Sequence, residues 1–434
     1  MRWLFLLAAS CFFYMWCIPK YILILGLTIV IDYYAGILIE QTNNPHEKKA
    51  YLTLSIVSTC FVLFVFKYFD FFAVNLNGLA RFIGWNYSIE ALHLILPVGL
   101  SFHTFQSLSY VIEVFRGRQK AERKFGIYAL YVMFYPQLVA GPIERPQNLL
   151  HQFYEKHNVD YQRITEGLKQ MAWGLFKKVV IADRLLSLVN LTYDHPETQG
   201  GLALILGTFF FAFEIYCDFS GYSDIALGAA KVMGFNLMVN FRQPYFSTSI
   251  SEFWRRWHIS LSTWFKDYVY VSLGGNRTGA ARWRLNLLIT FILSGFWHGA
   301  NWTYVIWGAL NGLFLIFETF TKRLQSQILT FILICFTWIF FRAKDLPEAL
   351  TIVAKVLTPS RTYFQLPFEP SRLLVAFAVI GVLLLIDKIQ GQQPGLQFLN
   401  RQSPLVRWSV YYALVLSIIL LGVFNDTQFI YFQF

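Results

Sequence analysis

The sequence predicts an all-α protein that crosses a membrane several times. Of its 434 residues, 56% are hydrophobic and 14% are charged, and the mean hydropathy is +0.47. A water-soluble domain of this size needs a more polar surface, so the composition excludes that class. The hydrophobic residues also gather in charge-poor runs separated by short polar segments, which is typical of a polytopic membrane protein.

The charge-poor runs continue along the chain. The first, Trp3–Cys17, is followed almost at once by another, so it is interpreted as a retained span rather than a cleaved signal. At about 20 residues per span, the runs predict roughly eleven transmembrane helices, several of them short, with residues 285–317 counted as two halves. The runs occupy residues 3–17, 21–39, 51–66, 91–112, 125–143, 201–213, 285–317, 328–341, 373–386 and 408–424.

Proline and glycine interrupt several runs, at Pro97, Gly99, Pro136 and the Gly141–Pro142 pair. Proline removes a backbone donor and breaks or kinks a helix. Broken helices occur at membrane depth where protein or a water-filled cavity satisfies the free backbone groups. We therefore expect some of the short segments to be re-entrant.

Basic residues gather between the runs, and the formal net charge is +11. This distribution is typical of cytoplasmic loops and not of a nucleic-acid-binding surface. The basic segments are Lys48–Lys49, Arg116–Lys124, Lys177–Lys178, Arg255–Arg284 and Lys322–Arg323. The five cysteines have no paired spacing, so neither a disulfide framework nor a zinc site is indicated.

Residues 168–188 mix basic and apolar side chains at helical spacing. The pattern predicts an amphipathic helix at the cytoplasmic interface. A solvated linker helix is the alternative.

One histidine, His298, lies in the charge-free stretch 285–317. A titratable group at membrane depth is costly and is a candidate functional site. Its neighbours are two glycines and two tryptophans, Gly295, Gly299, Trp297 and Trp302. The glycines leave room for backbone or substrate to approach the ring, and the tryptophans would form apolar walls. A histidine that only hydrogen-bonds a neighbouring helix is the alternative.

The segment 247–284 begins with a predicted amphipathic helix that has an aromatic face. Five apolar residues recur at helical spacing, Trp254, Trp257, Leu261, Trp264 and Phe265. We expect this face to enter the membrane interface, with Ser249 or Ser251 as the helix cap and Glu252 assisting.

The other face of that helix is basic. His258 lies in the helix beside Arg255 and Arg256, and this setting suits a substrate that carries phosphate or carboxylate. Lys266 can also reach an anion. An ordinary membrane-interface anchor has the same composition and is an equal alternative.

Two further segments are weaker candidates. Residues 273–277, Leu-Gly-Gly-Asn-Arg, form a glycine-rich turn in which Arg277 could help to hold a phosphate. Three carboxylates lie in apolar surroundings, Glu214, Asp218 and Asp224. Buried carboxylates need donors, so we expect them to pair with arginines such as Arg242 or Arg256, or, as the lesser alternative, to orient His298.

Several of these segments together resemble the membrane-bound O-acyltransferase family, in particular its bacterial branch that includes alginate O-acetylation. The resemblance covers nearly the whole chain. The matching segments are residues 97–110, 134–146, 213–226, 240–273, 274–277, 294–302 and 338–343.

The resemblance implies one multi-pass O-acyltransferase domain over residues 1–434, with re-entrant and interfacial helices around a central chamber in a bacterial inner membrane. The catalytic histidine of the family corresponds to His298 and its second histidine to His258. Trp297 and Asn301, beside His298, are expected to contact substrate.

The resemblance also implies the substrates and partners. The donor is expected to be cytoplasmic acetyl-CoA, with its phosphates held by Arg255, Arg256 and Arg277, and no cofactor is expected to be bound. The acceptor is an extracytoplasmic polysaccharide, either an alginate-like exopolysaccharide or peptidoglycan. A periplasmic SGNH-type acetyltransferase is implied as a partner that completes the transfer.

Two other functions remain open from the residues alone. A transporter or flippase for acyl groups or lipid-linked sugars would use the same broken helices and buried charges without chemistry. An assembly scaffold would explain the hydrophobicity, but not the cluster of His, Arg and Trp.

Overall fold

The computed structural model describes residues 2–16, 18–321, 325–360, 362–391 and 396–424. Within these ranges the regular structure is helical and no strand is formed, which confirms the predicted class. Cys17 and the Lys322–Arg323 pair lie outside the described residues. The chain divides into two compact units, residues 1–159 with 233–238, and residues 160–232 with 239–434. A single domain over residues 1–434 stays a prediction.

The first unit packs its helices around several buried polar contacts. The carboxylate of Asp32 accepts hydrogen bonds from the hydroxyls of Ser55, Thr59 and Ser107, so three helices meet at one buried acid. The helices are α1 (Arg2–Met15), α2 (Ile22–Gln41), α3 (Pro45–Leu63), α4 (Phe69–Phe82), α5 (Leu100–Phe115), α6 (Phe125–Met133), α7 (Tyr135–Leu138) and α8 (Pro146–Leu149).

The predicted breaks occur in this unit. The run 91–112 becomes helical only at Leu100, because Gly99 adopts a left-handed conformation (φ 74°) immediately before α5. The run 125–143 is divided into α6 and the single turn α7, which starts beside Pro136. These runs therefore hold shorter helices than continuous spans would need.

The second unit contains the histidines singled out in the sequence. Its helices are α9 (Tyr161–Leu175), α10 (Asp183–Tyr193), α11 (Gly201–Met233), α12 (Ile250–Arg256), α13 (Ile259–Phe265), α14 (Ala280–His298), α15 (Trp302–Glu318), α16 (Gln327–Arg342), α17 (Leu346–Leu357), α18 (Pro370–Gln390) and α19 (Pro404–Leu421). Wider π-helical turns at Phe176–Ala182 and Lys266–Tyr270 follow α9 and α13.

Several helices are long and apolar enough to span a bilayer, so the protein is a multi-pass membrane protein. In the described part of the chain five segments meet this standard, Pro19–Gln41, Pro45–Phe82, Gly201–Met233, Pro370–Gln390 and Pro404–Leu421. Shorter apolar helices are Arg2–Met15, Trp302–Glu318 and Gln327–Arg342.

The amphipathic segment 168–188 is not a surface helix, and this prediction is wrong. Its central turn, Phe176–Ala182, is largely buried against α11. The Nζ of Lys177 lies 2.6 Å from an oxygen of Asp224, and the Nζ of Lys178 lies 2.7 Å from one of Asp218. These lysines are therefore ion-paired with acids of α11 and lie in a helical turn, not in a loop between helices.

The prediction that arginines pair with the acids of α11, Asp218 and Asp224, is also wrong. Arg242 and Arg256 were expected to pair with Asp218 and Asp224, whereas lysines from the segment packed against α11 do so. The mixed basic and apolar pattern of residues 168–188 fits either a helix face exposed to solvent or a helix face whose lysines pair with acids. The packing against α11 distinguishes these two arrangements.

Candidate active site

The run 285–317 folds as two antiparallel helices joined by a tight turn. His298 is the last residue of α14, and α15 begins at Trp302, so His298 lies at the turn and not inside a continuous span. Gly295 on α14 lies against Gly308 on α15. A Cβ atom at Gly295 would collide with the Tyr304 carbonyl oxygen, which confirms that this glycine permits close backbone approach.

Aromatic rings surround His298, which is 4% exposed. Its ring centroid lies 4.9 Å from that of Trp297, 5.1 Å from Trp307 and 5.3 Å from Phe341. Trp302, which is also predicted to wall the histidine, lies at the start of α15 and is 51% exposed. Trp307, further along α15, is a wall that the sequence analysis did not name.

Asn301, which is predicted to contact substrate, lies in the turn between α14 and α15. Its Oδ1 accepts a hydrogen bond from the Thr303 N–H (3.1 Å), and its Nδ2 donates to the Lys344 carbonyl (2.7 Å). The side chain therefore caps α15 and ties it to the segment after α16. It is not among the residues that line the cavity described below.

The helix predicted at the start of segment 247–284 is broken at His258. Ser249 caps α12 as expected, because its Oγ accepts from the Glu252 N–H (3.0 Å) while the Glu252 carboxylate accepts from the Thr248 N–H (2.7 Å). After α12 the chain turns through His258, whose φ of 42° is left-handed, and α13 follows. His258 thus lies between two helices and not within one.

The aromatic face of this segment packs inside the protein and not in the membrane interface, so that prediction is wrong. The ring of Trp257 lies 5.1 Å from that of Trp338, and Trp254 lies 5.6 Å from Trp307. Trp307 and Trp338 stack on each other with centroids 5.8 Å apart. The same tryptophans therefore support both histidine segments.

Both histidines line one cavity of about 930 Å³. Trp297 lies between the two rings, with its centroid 6.4 Å from His258 and 4.9 Å from His298. Apolar walls come from Trp254, Trp257, Leu261, Phe265, Leu287, Phe291 and Leu315. Hydroxyl groups come from Ser251, Ser262, Thr263, Thr290, Ser294 and Thr319.

The cavity has a set of cations that differs from the predicted one. The cavity is lined by Arg255 and by the exposed side chains of Arg242 and Lys266. The Nη1 of Arg255 donates a hydrogen bond to Ser251 Oγ (2.7 Å). Arg256 is instead paired with Glu252 at 2.6 Å. Arg277 lies outside the lining. Sequence reasoning did not place Arg242 in this cavity, because contacts between distant segments, such as the hydrogen bond from the Arg242 N–H to the Arg256 carbonyl (2.9 Å), bring it there.

His258 is held neutral by its surroundings. It is 1% exposed, and burial lowers the pKa of its imidazole to about 3. A neutral imidazole has one nitrogen that can accept a proton or hydrogen bond. Within the described residues no group of three or more His, Cys, Asp or Glu side chains is arranged to hold a metal ion.

The chain is similar in sequence to several known proteins. Residues 125–344 match the model of the MBOAT, membrane-bound O-acyltransferase family. The chain is 39% identical to a probable alginate O-acetylase AlgI of Azotobacter vinelandii, over 88% of this chain and 79% of that protein. It is 34% identical to the Pseudomonas putida protein of the same name, over 100% of this chain and 94% of that one. It is also 36% identical to a peptidoglycan O-acetyltransferase of Helicobacter pylori, over 81% and 72%.

Proposed function

The chain belongs to the membrane-bound O-acyltransferase family, and on that premise we propose that it transfers acetyl groups from cytoplasmic acetyl-CoA toward an extracytoplasmic polysaccharide. Membership of this family favours an enzyme over a transporter or a scaffold, the alternatives that the residues alone left open. Relatives named for alginate and peptidoglycan acetylation support the acetyl group, the polymer and a location in a bacterial inner membrane.

The observation that carries the proposal is the single cavity that holds both His258 and His298. A cavity of about 930 Å³ is within the size range of pockets that enclose small substrates. Its aromatic walls suit an acyl thioester, and its cations suit the phosphates of a nucleotide carrier. The proposed donor has both of these features.

His298 is proposed as the general base and acid. Its imidazole accepts the proton of the attacking hydroxyl as the new C–O bond forms at the thioester carbonyl. The C–S bond then breaks, and the same proton passes to the leaving thiolate, so atoms and charge balance. The rings of Trp297, Trp307 and Phe341 hold the imidazole in one orientation while this happens.

The donor phosphates are assigned to Arg242, Arg255 and Lys266, because these cations line the cavity. The resemblance implies Arg255, Arg256 and Arg277 for this role. Of these, only Arg255 lines the cavity, since Arg256 is paired with Glu252 and Arg277 lies outside the lining. His258, neutral and buried in the same lining, is proposed to hydrogen-bond the bound donor.

The acceptor is proposed to be a hydroxyl group. A polysaccharide supplies one directly. A relay through a periplasmic SGNH-type acetyltransferase would present a serine hydroxyl, so the chemistry at His298 is the same in both cases.

The test uses the purified protein in nanodiscs with radiolabelled acetyl-CoA, a polysaccharide acceptor and a periplasmic SGNH-type partner. We expect His298→Ala and His298→Gln to reduce thioester cleavage and acetyl transfer to background while membrane insertion is unchanged. His195→Ala, which alters an exposed histidine outside the cavity lining, is the control and should keep wild-type turnover. Wild-type turnover by His298→Ala would exclude His298 as the catalytic residue.

A further inference from the structure

The backbone at His258 is in a conformation that a side chain other than glycine seldom adopts. Its φ and ψ are 42° and 54°, in the left-handed region. A residue stays in this region only where its surroundings hold it there, and such residues cluster at functional sites. The contacts that hold His258 are therefore part of how the site is built.

His258 occupies the N-cap position of α13 but does not cap it. The first N–H groups of a helix have no partner within that helix, and the N-cap side chain usually accepts from one of them. The His258 side chain makes no such hydrogen bond. It is instead part of the cavity lining, so another residue must supply the cap.

Asn240 supplies it from a distant part of the chain. Its carbonyl oxygen accepts from the Ile259 N–H (2.9 Å), and its Oδ1 accepts from the Ser260 N–H (3.2 Å). These are the first two N–H groups of α13. Asn240 and Ser260 are buried, so the loss of these acceptors would leave buried donors unsatisfied.

Asn240 is itself anchored on both sides. Its Nδ2 donates to the hydroxyl of Ser223, a buried residue of α11 (3.3 Å). Two residues later, the Arg242 N–H donates to the Arg256 carbonyl at the end of α12 (2.9 Å). The segment 240–242 therefore fixes both ends of the turn that carries His258.

We propose that Asn240 is a positioning residue, which caps α13 in place of His258 and so leaves the imidazole of His258 directed at the donor site. This inference rests on the proposed function, in which His258 contacts the donor. It assigns Asn240 a role through His258 and no contact with the reacting atoms.

The main test compares Asn240→Ala with Asn240→Asp. Alanine removes Oδ1 and Nδ2, and we expect kcat/KM for the acetyl donor to fall about tenfold or more, since small displacements of catalytic groups have effects of this size. Aspartate keeps an acceptor for the Ser260 N–H and should recover most of the loss. Asn190→Ala is the control, because Asn190 accepts a hydrogen bond from Arg342 (2.9 Å) and is not in the cavity lining.

A second measurement separates positioning from general stability. Hydrogen–deuterium exchange of residues 257–262 should become faster in Asn240→Ala while residues 285–295 of α14 exchange as in the wild type. Unchanged exchange at residues 257–262 would overturn the proposal at any level of activity.

A double variant tests whether Asn240 acts through His258. The background for this test is His258→Asn, because asparagine tolerates the left-handed conformation. In that background, Asn240→Ala should cause little further loss of kcat/KM. A further loss as large as in the wild type would overturn the proposal, and if this background has no measurable activity the exchange result decides. Failure of the proposed function is seen separately, as wild-type turnover by His298→Ala.

Discussion

His258 and His298 come from separate helical segments and line the same cavity, with the ring of Trp297 between them. Each histidine lies at the end of a helix. His258 occupies a left-handed turn before α13, and His298 is the last residue of α14.

The cations of the cavity can be tested individually. Arg242→Ala and Lys266→Ala should each raise KM for the donor about fivefold, which corresponds to roughly 1 kcal/mol for one exposed charge contact, with kcat little changed. Steady-state kinetics with labelled acetyl-CoA measure this, and added salt should reduce the difference between variant and wild type. Arg277→Ala is the matched control, because Arg277 lies outside the lining. An equal rise in KM for Arg277→Ala would contradict the assignment.

The close approach of α14 and α15 predicts that Gly295 tolerates no side chain. Gly295→Ala would press a methyl group against the Tyr304 carbonyl, and we expect a loss of about 1–3 kcal/mol in stability together with reduced activity, because His298 follows on the same helix. Thermal unfolding in detergent measures the first effect. Gly279→Ala, just before the start of α14, meets no atom within 4 Å and should have no effect. Equal melting temperatures for both variants would argue against this packing.

The ion pair between the buried Lys177 and the partly exposed Asp224 predicts a single-variant effect. Lys177→Met leaves the Asp224 carboxylate without its charged partner, and we expect a loss of about 1–3 kcal/mol. The double variant Lys177→Met with Asp224→Asn removes both charges and should recover much of that loss. Chemical unfolding of the purified variants measures the cycle, and additive losses would show that the two residues are not coupled.

The neutral state of His258 predicts how stability depends on pH. Burial lowers its pKa in the folded protein from 6.5 to about 3, so the unfolded chain binds more protons than the folded protein between these values. The contribution of His258 to the free energy of unfolding is therefore complete above pH 6.5, and it decreases as the pH falls from 6.5 toward the folded-state pKa. The His258→Gln variant should lose less stability than the wild type between pH 6.5 and pH 4. Parallel pH profiles would mean that His258 does not titrate in this way.

The sequence was sufficient for features that depend on local patterns. Hydrophobic runs predicted a polytopic helical protein, the Ser249–Glu252 spacing predicted the cap of α12, and Pro97 and Gly99 predicted a broken run. The run 285–317 was correctly divided into two halves. Each of these depends on residues a few positions apart, whose physical chemistry is the same in any fold.

Other features could not be read from local patterns. The spacing of Trp254, Trp257 and Leu261 fits one continuous helix, yet the chain breaks at His258, and the N–H groups after it donate to Asn240, which is distant in the sequence. Likewise, Lys177 and Lys178 resemble a basic loop until α11 brings buried carboxylates to them.

Local patterns are enough to identify a helical membrane protein with two candidate histidines, His258 and His298. The packing of distant helices brings both histidines to one cavity, places Trp307 against His298, and puts Arg242 but not Arg277 in the cavity lining. The physical reason is that periodicity fixes which side chains share a helix face. What that face contacts depends on helices distant in the sequence, here α11, α15 and α16.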